Sequence, residues 1–224
     1  MGSIARSGSD PWALDELASP AVRAGLVVVP LGATEQHGPH LPLGTDTTVA
    51  LALATGLAFA RRDAVVAPPL PYGSSGEHAG FPGTLSIGQE GLRLVVVELA
   101  RSWGGRMLFV SAHGGNAQPL AAAMHGLPDA RAWSPAFGGD AHAGRVETSL
   151  MLALAPEQVG AVREPGNTAP LRTLMPALRS GGVRAVAPNG VLGDPTGASA
   201  DEGRTLLAHA VAELIAFTAD WLGE

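Results

Sequence analysis

Residues 25–46 read GLVVVPLGATEQHGPHLPLGTD. The opening run, Gly25 to Leu31, is short, apolar and β-branched, the pattern of a strand buried on both faces of a parallel sheet. A Gly/Pro/polar loop follows over 32–44. An apolar helical stretch then runs from Thr45 to about Ala60, with Thr45 or Asp46 near its N-cap. Strand, glycine loop, helix is the unit of an α/β fold, and the same order recurs along the chain.

Working outward, a helix is expected over Pro11 to Arg23 and a second strand over Ala64 to Pro68. Pro69 to Gly88 has no periodicity, and a loop of that length in a compact domain is usually functional. Gln89 to Trp103 is helical, stopped by Gly104-Gly105. Met107 to Ser111 is a third strand, His113 to Asn116 its exit turn, and Ala117 to His125 a helix. Arg131 to Phe137 is a fourth strand, and Val146 to Leu154 a helix. Val162 to Gly193 shows no defined element, and Ala200 to Leu222 is a closing helix for a subunit edge or interface. The whole chain, 1–224, reads as one domain with a mainly parallel sheet.

Composition narrows the function. At 224 residues the chain can bury roughly 70% of its unfolded surface without staples. It has no cysteine, which excludes disulfides, thiolate metal sites and a cysteine nucleophile, and fits a reducing cytoplasm. The 14 basic residues are all arginine, as in proteins of GC-rich genomes, which excludes a Schiff-base lysine. The formal charge of −6, with no basic run, argues against nucleic acid. Apolar stretches are expected to fall short of the ~20 residues of a membrane span, and Met1 to Trp12 has no signal-peptide core. Only 15% of residues are charged and 46% are hydrophobic, which hints at burial between subunits.

In such sheets ligands bind beyond the carboxyl ends of the strands. The loops expected there, 32–46, 69–88, 112–116 and 138–147, carry five of the seven histidines: His37, His40, His78, His113 and His142. Glu35 and His37 are two apart and share a side if extended. Asp46 opens the following helix, where the dipole favours a carboxylate. Singly, Asp46 reads as an N-cap and the other two as solvated loop residues. Three in one Gly/Pro-pinned loop after a buried strand read as ligands for Zn, Mn or Fe(II). His113 leaves a second strand and is a plausible fourth. His142 and Glu147, in DAHAGRVETS, add another pair. With two metals one carboxylate must bridge, and Asp46 lies between the clusters in the chain. Such a centre activates water and polarises a carbonyl, which is hydrolysis of an amide-type bond. His142 or His78 is available to protonate the leaving nitrogen. No G-x-S-x-G, phosphate-binding glycine loop or H-E-x-x-H competes with this reading.

Five stretches, in order, resemble the creatininase family of metal-dependent amidohydrolases: 31–46, 73–87 (GSSGEHAGFPGTLSI), 111–116 (SAHGGN), 140–149 and 193–203 (GDPTGASADEG). The resemblance implies a three-layer α/β/α fold, two divalent metals per subunit and a higher homo-oligomer, hexamer or octamer. It matches Glu35, His37, Asp46 and His113 to family metal ligands, with Asp46 bridging. Creatinine-hydrolysing members carry a glutamate where this chain has Gly115. Either Glu147 completes the second metal's shell, the reading preferred here, or that metal is weak. Those members also have aromatic residues at the positions of Gly114 and Gly138, so this chain lacks their clamp for a flat ring.

Within the family the HGGN form belongs to formamide-type hydrolases of archaeal flavin biosynthesis and to the peptidase branch of the mycofactocin system. Length, compact loops and composition resemble the second more. That implies removal of a C-terminal Val-Tyr dipeptide from a modified precursor peptide, in the maturation of a peptide-derived redox cofactor. A cyclic-amide or formamide hydrolase is the alternative, and a non-catalytic scaffold of the same shape is a third reading. Glu77 and His78 read as a substrate clamp or as loop anchors. Gly114 and Gly115 read as an open substrate-binding floor. Arg145 reads as a fork for a peptide carboxylate or as an ordinary surface arginine.

Overall fold

The computed structural model describes residues 12–224. Four parallel strands, β1 (Leu26–Leu31), β2 (Ala64–Val66), β3 (Met107–Ser111) and β4 (Ala130–Trp133), lie in the order β2-β1-β3-β4. All of β1 is buried, as its apolar run predicts. Pro30 is tolerated in this central strand because β2 has already ended at Val66. Beyond it the Leu70 N–H donates to the Pro30 carbonyl, so no ladder bond is lost there.

Among the described residues six α-helices surround the sheet: α1 (Thr45–Ala60), α2 (Gly88–Trp103), α3 (Ala117–Met124), α4 (Arg145–Leu154), α5 (Leu171–Val186) and α6 (Ala200–Leu222). The period-2 alternation of β1 divides the core. Leu26 and Val28 pack with Leu108, Val110 and residues of α1, α4 and α6, including Leu53, Leu150 and Leu214. Val27, Val29 and Leu31 pack with Phe109 and with Leu92, Val96 and Leu120 of α2 and α3. This is a three-layer α/β/α fold. Each fully buried leucine in these layers contributes about 1.5–3 kcal/mol.

Several expectations change. The helix expected over Pro11 to Arg23 is two 3-10 turns, Leu14–Glu16 and Ser19–Ala21, with Pro11 outside the described residues. β2 stops before Pro68-Pro69 and β4 before Ser134-Pro135, where the ladder would lack donors. Gly44, not Thr45 or Asp46, is the N-cap of α1. Thr45 Oγ1 donates instead to the Pro42 carbonyl, and Asp46 is free to face the site.

The segment without a predicted element contains α5. Pro176, Gly181 and Gly182 break its sequence signature, and Gly182 (φ 68°, ψ −175°) kinks the helix. A Cβ at Gly182 would collide with the Glu77 carbonyl, so glycine lets α5 lie against the turn Gly76–His78. α6 is long and apolar enough, by length and composition, to cross a bilayer, contrary to expectation. It lies instead along α1 and α4, with Ala210 and Leu214 in the core and Ser199 as its N-cap.

Candidate metal centre

Loops leaving β1 and β3 converge with the 69–87 loop and the start of α4. The His37 Nε2 lies 3.3 Å from Asp46 Oδ1 and 3.7 Å from Glu147 Oε2. His113 lies 3.2 Å from Glu35 Oε2 through Nε2 and 3.5 Å from Asp46 Oδ2 through Nδ1. His78 Nε2 is 3.3 Å from Glu35 Oε1, and His142 Nδ1 is 3.8 Å from the same oxygen. Glu35, His37 and Asp46 are almost wholly buried. The 32–44 loop, closed by the Glu35 N–H on the Leu43 carbonyl, therefore brings together residues nine apart.

Three groups have donor atoms close enough to share one ion: Glu35/Asp46/His113, His37/Asp46/Glu147 and Glu35/His37/His142. Asp46 belongs to the first two, the position a bridging carboxylate needs. Both Glu35 oxygens and Asp46 Oδ2 are buried without a hydrogen-bond partner. Buried carboxylate oxygens without donors are costly unless a cation meets them. The donor set, imidazole plus carboxylate and no sulfur, fits a divalent ion of the Zn, Mn or Fe(II) kind.

The charge balance points the same way. Burial disfavours charge on His37 and His113, but Asp46 and Glu147 raise the first to about 10. Glu35 and Asp46 raise the second to about 9. Burial pushes Glu35 up, and His113, His78 and His37 more than offset it, holding the carboxyl below its usual range. The carboxylate cluster thus demands positive charge, which a bound cation would supply in place of the imidazole protons.

Backbone carbonyls fix the ring tautomers. His37 Nδ1–H donates to the Glu35 carbonyl at 3.1 Å, leaving Nε2 toward Asp46. His142 Nε2–H donates to the Gln36 carbonyl at 2.8 Å, leaving the Nδ1 lone pair toward Glu35 and Glu147. Burial, then His37, keeps His142 below its ordinary value, and burial with His142 takes His78 down to about 3. Both rings are therefore held neutral. Ala143, next in the chain, has φ 51° and donates its N–H to Glu147 Oε2 at 2.6 Å. Left-handed backbone at a non-glycine residue costs of order 1 kcal/mol and is held here by its surroundings.

A cavity of about 920 Å³ opens onto this cluster between α5 and the starts of α2 and α3. Glu77, His78, Gly114 and Gly115 line it, as do His113, His142 and Glu147. A second cavity, about 230 Å³, also reaches Asp46 and Glu147, beside Phe137 and Gly138. A Cβ on Gly115 would collide with the Ser74 carbonyl, His113 and Glu77, so no glutamate fits there, while Glu147 reaches His37 from α4. Arg145 lines neither cavity. Its Nε lies 2.9 and 2.8 Å from the two oxygens of Glu202, the arrangement of an ordinary surface pair. His40 binds Thr148 Oγ1 at 2.9 Å, while His125 and His209 are exposed and remote from the cluster.

Three features went unassigned in the sequence. Gln36 Nε2 donates to His78 Nδ1 and the Gly190 carbonyl, while the Gln36 backbone carbonyl accepts from His142 Nε2–H, tying three loops together. Asn116 accepts from the Ser74 N–H and donates to the Gly32 carbonyl, fixing the β1 loop against the 73–75 loop. Both lie inside quoted stretches, flanking the ligand-type histidines, which was the available signal. The third, the α5 wall, left no comparable signal.

The family model described as "Creatinine amidohydrolase" matches residues 13–218. A protein of Mycolicibacterium smegmatis named mycofactocin precursor peptide peptidase is 53% identical over 201 residues, 83% of this chain and 81% of its own. One of the same name from Mycobacterium ulcerans is 47% identical over 213 residues, 87% of this chain and 85% of its own. A crystal structure of creatinine amidohydrolase superposes with TM-score 0.74 at 25% identity, over 95% of this chain and 98% of that one.

Proposed function

The chain belongs to the creatininase family and is a hydrolase of C–N bonds; from that premise we propose that it is a metal-dependent peptidase of mycofactocin maturation, removing a C-terminal Val-Tyr dipeptide from the modified precursor. The observation that carries the reading is the large cavity opening onto a buried carboxylate–imidazole cluster. No Trp, Tyr or Phe lines it. Such a site accommodates a peptide terminus and offers no clamp for a small flat ring. The names of the half-identical relatives support the same substrate.

Two divalent ions per subunit, Zn, Fe(II) or Mn, complete this reading. Glu35, Asp46 and His113 would hold one, and His37, Asp46 and Glu147 the other. Bound there, they supply Lewis-acid polarisation of the scissile carbonyl and a lowered pKa for water. The chain's own residues do the rest. His142 Nδ1, fixed by the Gln36 carbonyl, takes the proton from water and delivers it to the leaving amine. The water oxygen stays on the acyl carbon, the C–N bond breaks, and the amine nitrogen gains the proton. Gln36 keeps His142 and His78 in place, while Glu77, His78, Gly114 and Gly115 form the floor on which the peptide lies. A cytoplasmic homo-oligomer, hexamer or octamer, belongs to the same reading, supported by the absence of cysteine and the low charge content.

The test is metal content and cleavage on one preparation. Anaerobically purified protein should hold about two metals per chain and release Val-Tyr from the modified precursor, read by mass spectrometry. Hydrolysis of a small formamide with the precursor left intact would replace the reading with a formamide hydrolase. Absence of metal uptake on reconstitution would leave the scaffold.

A further inference from the structure

Asp140 lines the smaller cavity beside Asp46 and Glu147 but belongs to none of the three donor groups. Its oxygens are taken up by backbone instead. Oδ2 accepts from the Arg145 N–H at 2.5 Å and the Asp194 N–H at 3.3 Å, and Oδ1 accepts from the Val146 N–H at 3.2 Å. Arg145 and Val146 open α4, whose N-cap, Gly144, has no side chain to cover their N–H groups. A Cβ at Gly144 would collide with the Asp140 carboxyl, so glycine there lets the carboxylate lie across the helix start. Between the two lies Ala143, at φ 51°, whose N–H donates to Glu147 Oε2. Glu147 itself stands in the first turn of α4.

We propose that Asp140 is a positioning residue: its carboxylate sets where α4 begins, and so aims Glu147 at the position Glu147 shares with His37 and Asp46. This rests on the two-metal reading and adds what holds one of its ligands. Glu147 is fixed at two points, by its backbone in the first turn of α4 and by its own Oε2 on the Ala143 N–H. Ala143 keeps its left-handed backbone only because its surroundings impose it. Asp140 spans both points. It precedes Ala143 in the chain and binds the two N–H groups that follow Gly144, so residues 140–146 close into a ring. Opening that ring frees Ala143 to relax and Glu147 to swing away from His37. Glu35, Asp46 and His113 come from the chain after β1 and after β3, and keep their places. His142 keeps its own anchors, the Gln36 carbonyl on Nε2 and the Leu192 N–H on its backbone carbonyl.

The experiment strips the protein with a chelator, reloads it with Mn(II), and reads metal per chain and the EPR spectrum beside kcat and KM. The samples are wild type, D140A, D140N, G144A and S199A. Ser199 caps α6 as Asp140 caps α4, its Oγ accepting from the Glu202 N–H, so S199A reports the loss of a cap alone. Wild type should hold about two Mn(II) per chain with the spectrum of a coupled pair. D140A should hold about one, with the spectrum of an isolated ion, and lose about 10- to 100-fold in kcat with KM little changed. D140N, which keeps one acceptor oxygen, should fall between them. G144A, which pushes the carboxylate aside without removing it, should lower metal content in the same direction, and these two variants carry the test if D140A does not fold. S199A should lower Tm by roughly 2–4 °C and keep both ions and their coupling. Two coupled ions retained in D140A, both ions lost together, or S199A losing metal as D140A does would overturn the positioning role and leave the two-metal reading standing. Fewer than two ions in wild type would overturn both.

Discussion

The carboxylate–imidazole nest at the ends of β1 and β3 and the α5 wall across the cavity are built in opposite ways. The nest is made of buried groups on short loops pinned by strands, and Gln36 and Asn116 lock its loops together. The wall is a kinked helix lying against the Gly76–His78 turn and packed through Val183 on Phe81 and Leu192, with Leu171 and Arg179 exposed. Chemistry demands atoms fixed to fractions of an ångström, and the nest provides that. Selecting a substrate needs only a surface of suitable shape and charge, and a peripheral helix provides that with residues that have no structural duty. Variants of the nest should therefore act on turnover and metal content, and variants of the periphery on KM or on nothing.

The largest effect falls on the carboxylate shared by two donor groups. Asp46→Ala should lower hydrolysis by more than about 10³-fold and remove metal from both positions, read by elemental analysis beside the rate. The fold should persist, because removing one of several crowded carboxylates relieves repulsion. If Asp46→Ala kept both metals, the bridging assignment would fail. Glu147→Gln comes next. It should leave one metal per chain, held by Glu35, Asp46 and His113, and cost about 10- to 100-fold in kcat. Two retained metals at full rate would mean that Glu147 serves only the Ala143 N–H.

How much could be read from the sequence follows the same division. The β1 run, the helices at 45–60 and 200–222 and the ligand-type residues were legible, because a buried strand and a buried carboxylate–histidine group permit few other sequences. That Glu147 stands in for a glutamate at 115 was the preferred of two readings of the sequence and is proposed here. Its reason is steric: a Cβ at 115 would strike backbone and His113, which no spacing rule reveals. α5 was invisible because Pro176 and the Gly181-Gly182 pair are helix breakers by propensity, and tertiary contact with Glu77 overrides them.

Gly115→Ala probes the boundary between the regions. The added methyl must displace the Ser74 carbonyl or the His113 ring, a clash worth about 1–3 kcal/mol. In a chain of this size that lowers Tm by roughly 2–4 °C per kcal/mol. A fall in Tm accompanied by loss of kcat, read by calorimetry and steady-state rates, would place Gly115 inside the rigid nest. A fall in Tm with kcat intact would show that His113 tolerates displacement, and that the nest is less rigid than its burial suggests.

The smallest effect is expected at Arg145, which the sequence leaves open between a substrate fork and a surface arginine and which lines neither cavity. Arg145 Nε lies within 2.9 Å of both Glu202 oxygens, and Glu202 also accepts from Ser149 Oγ. Arg145 is half-exposed, so solvent screening limits the pair to less than about 1 kcal/mol. Arg145→Ala should therefore shift Tm by no more than a few degrees and leave kcat and KM for the modified precursor unchanged. A KM effect at Arg145, which lines neither cavity, would mean that substrate capture extends beyond the cavity wall, and the division between a rigid chemical nest and a selective wall would lose its clearest support.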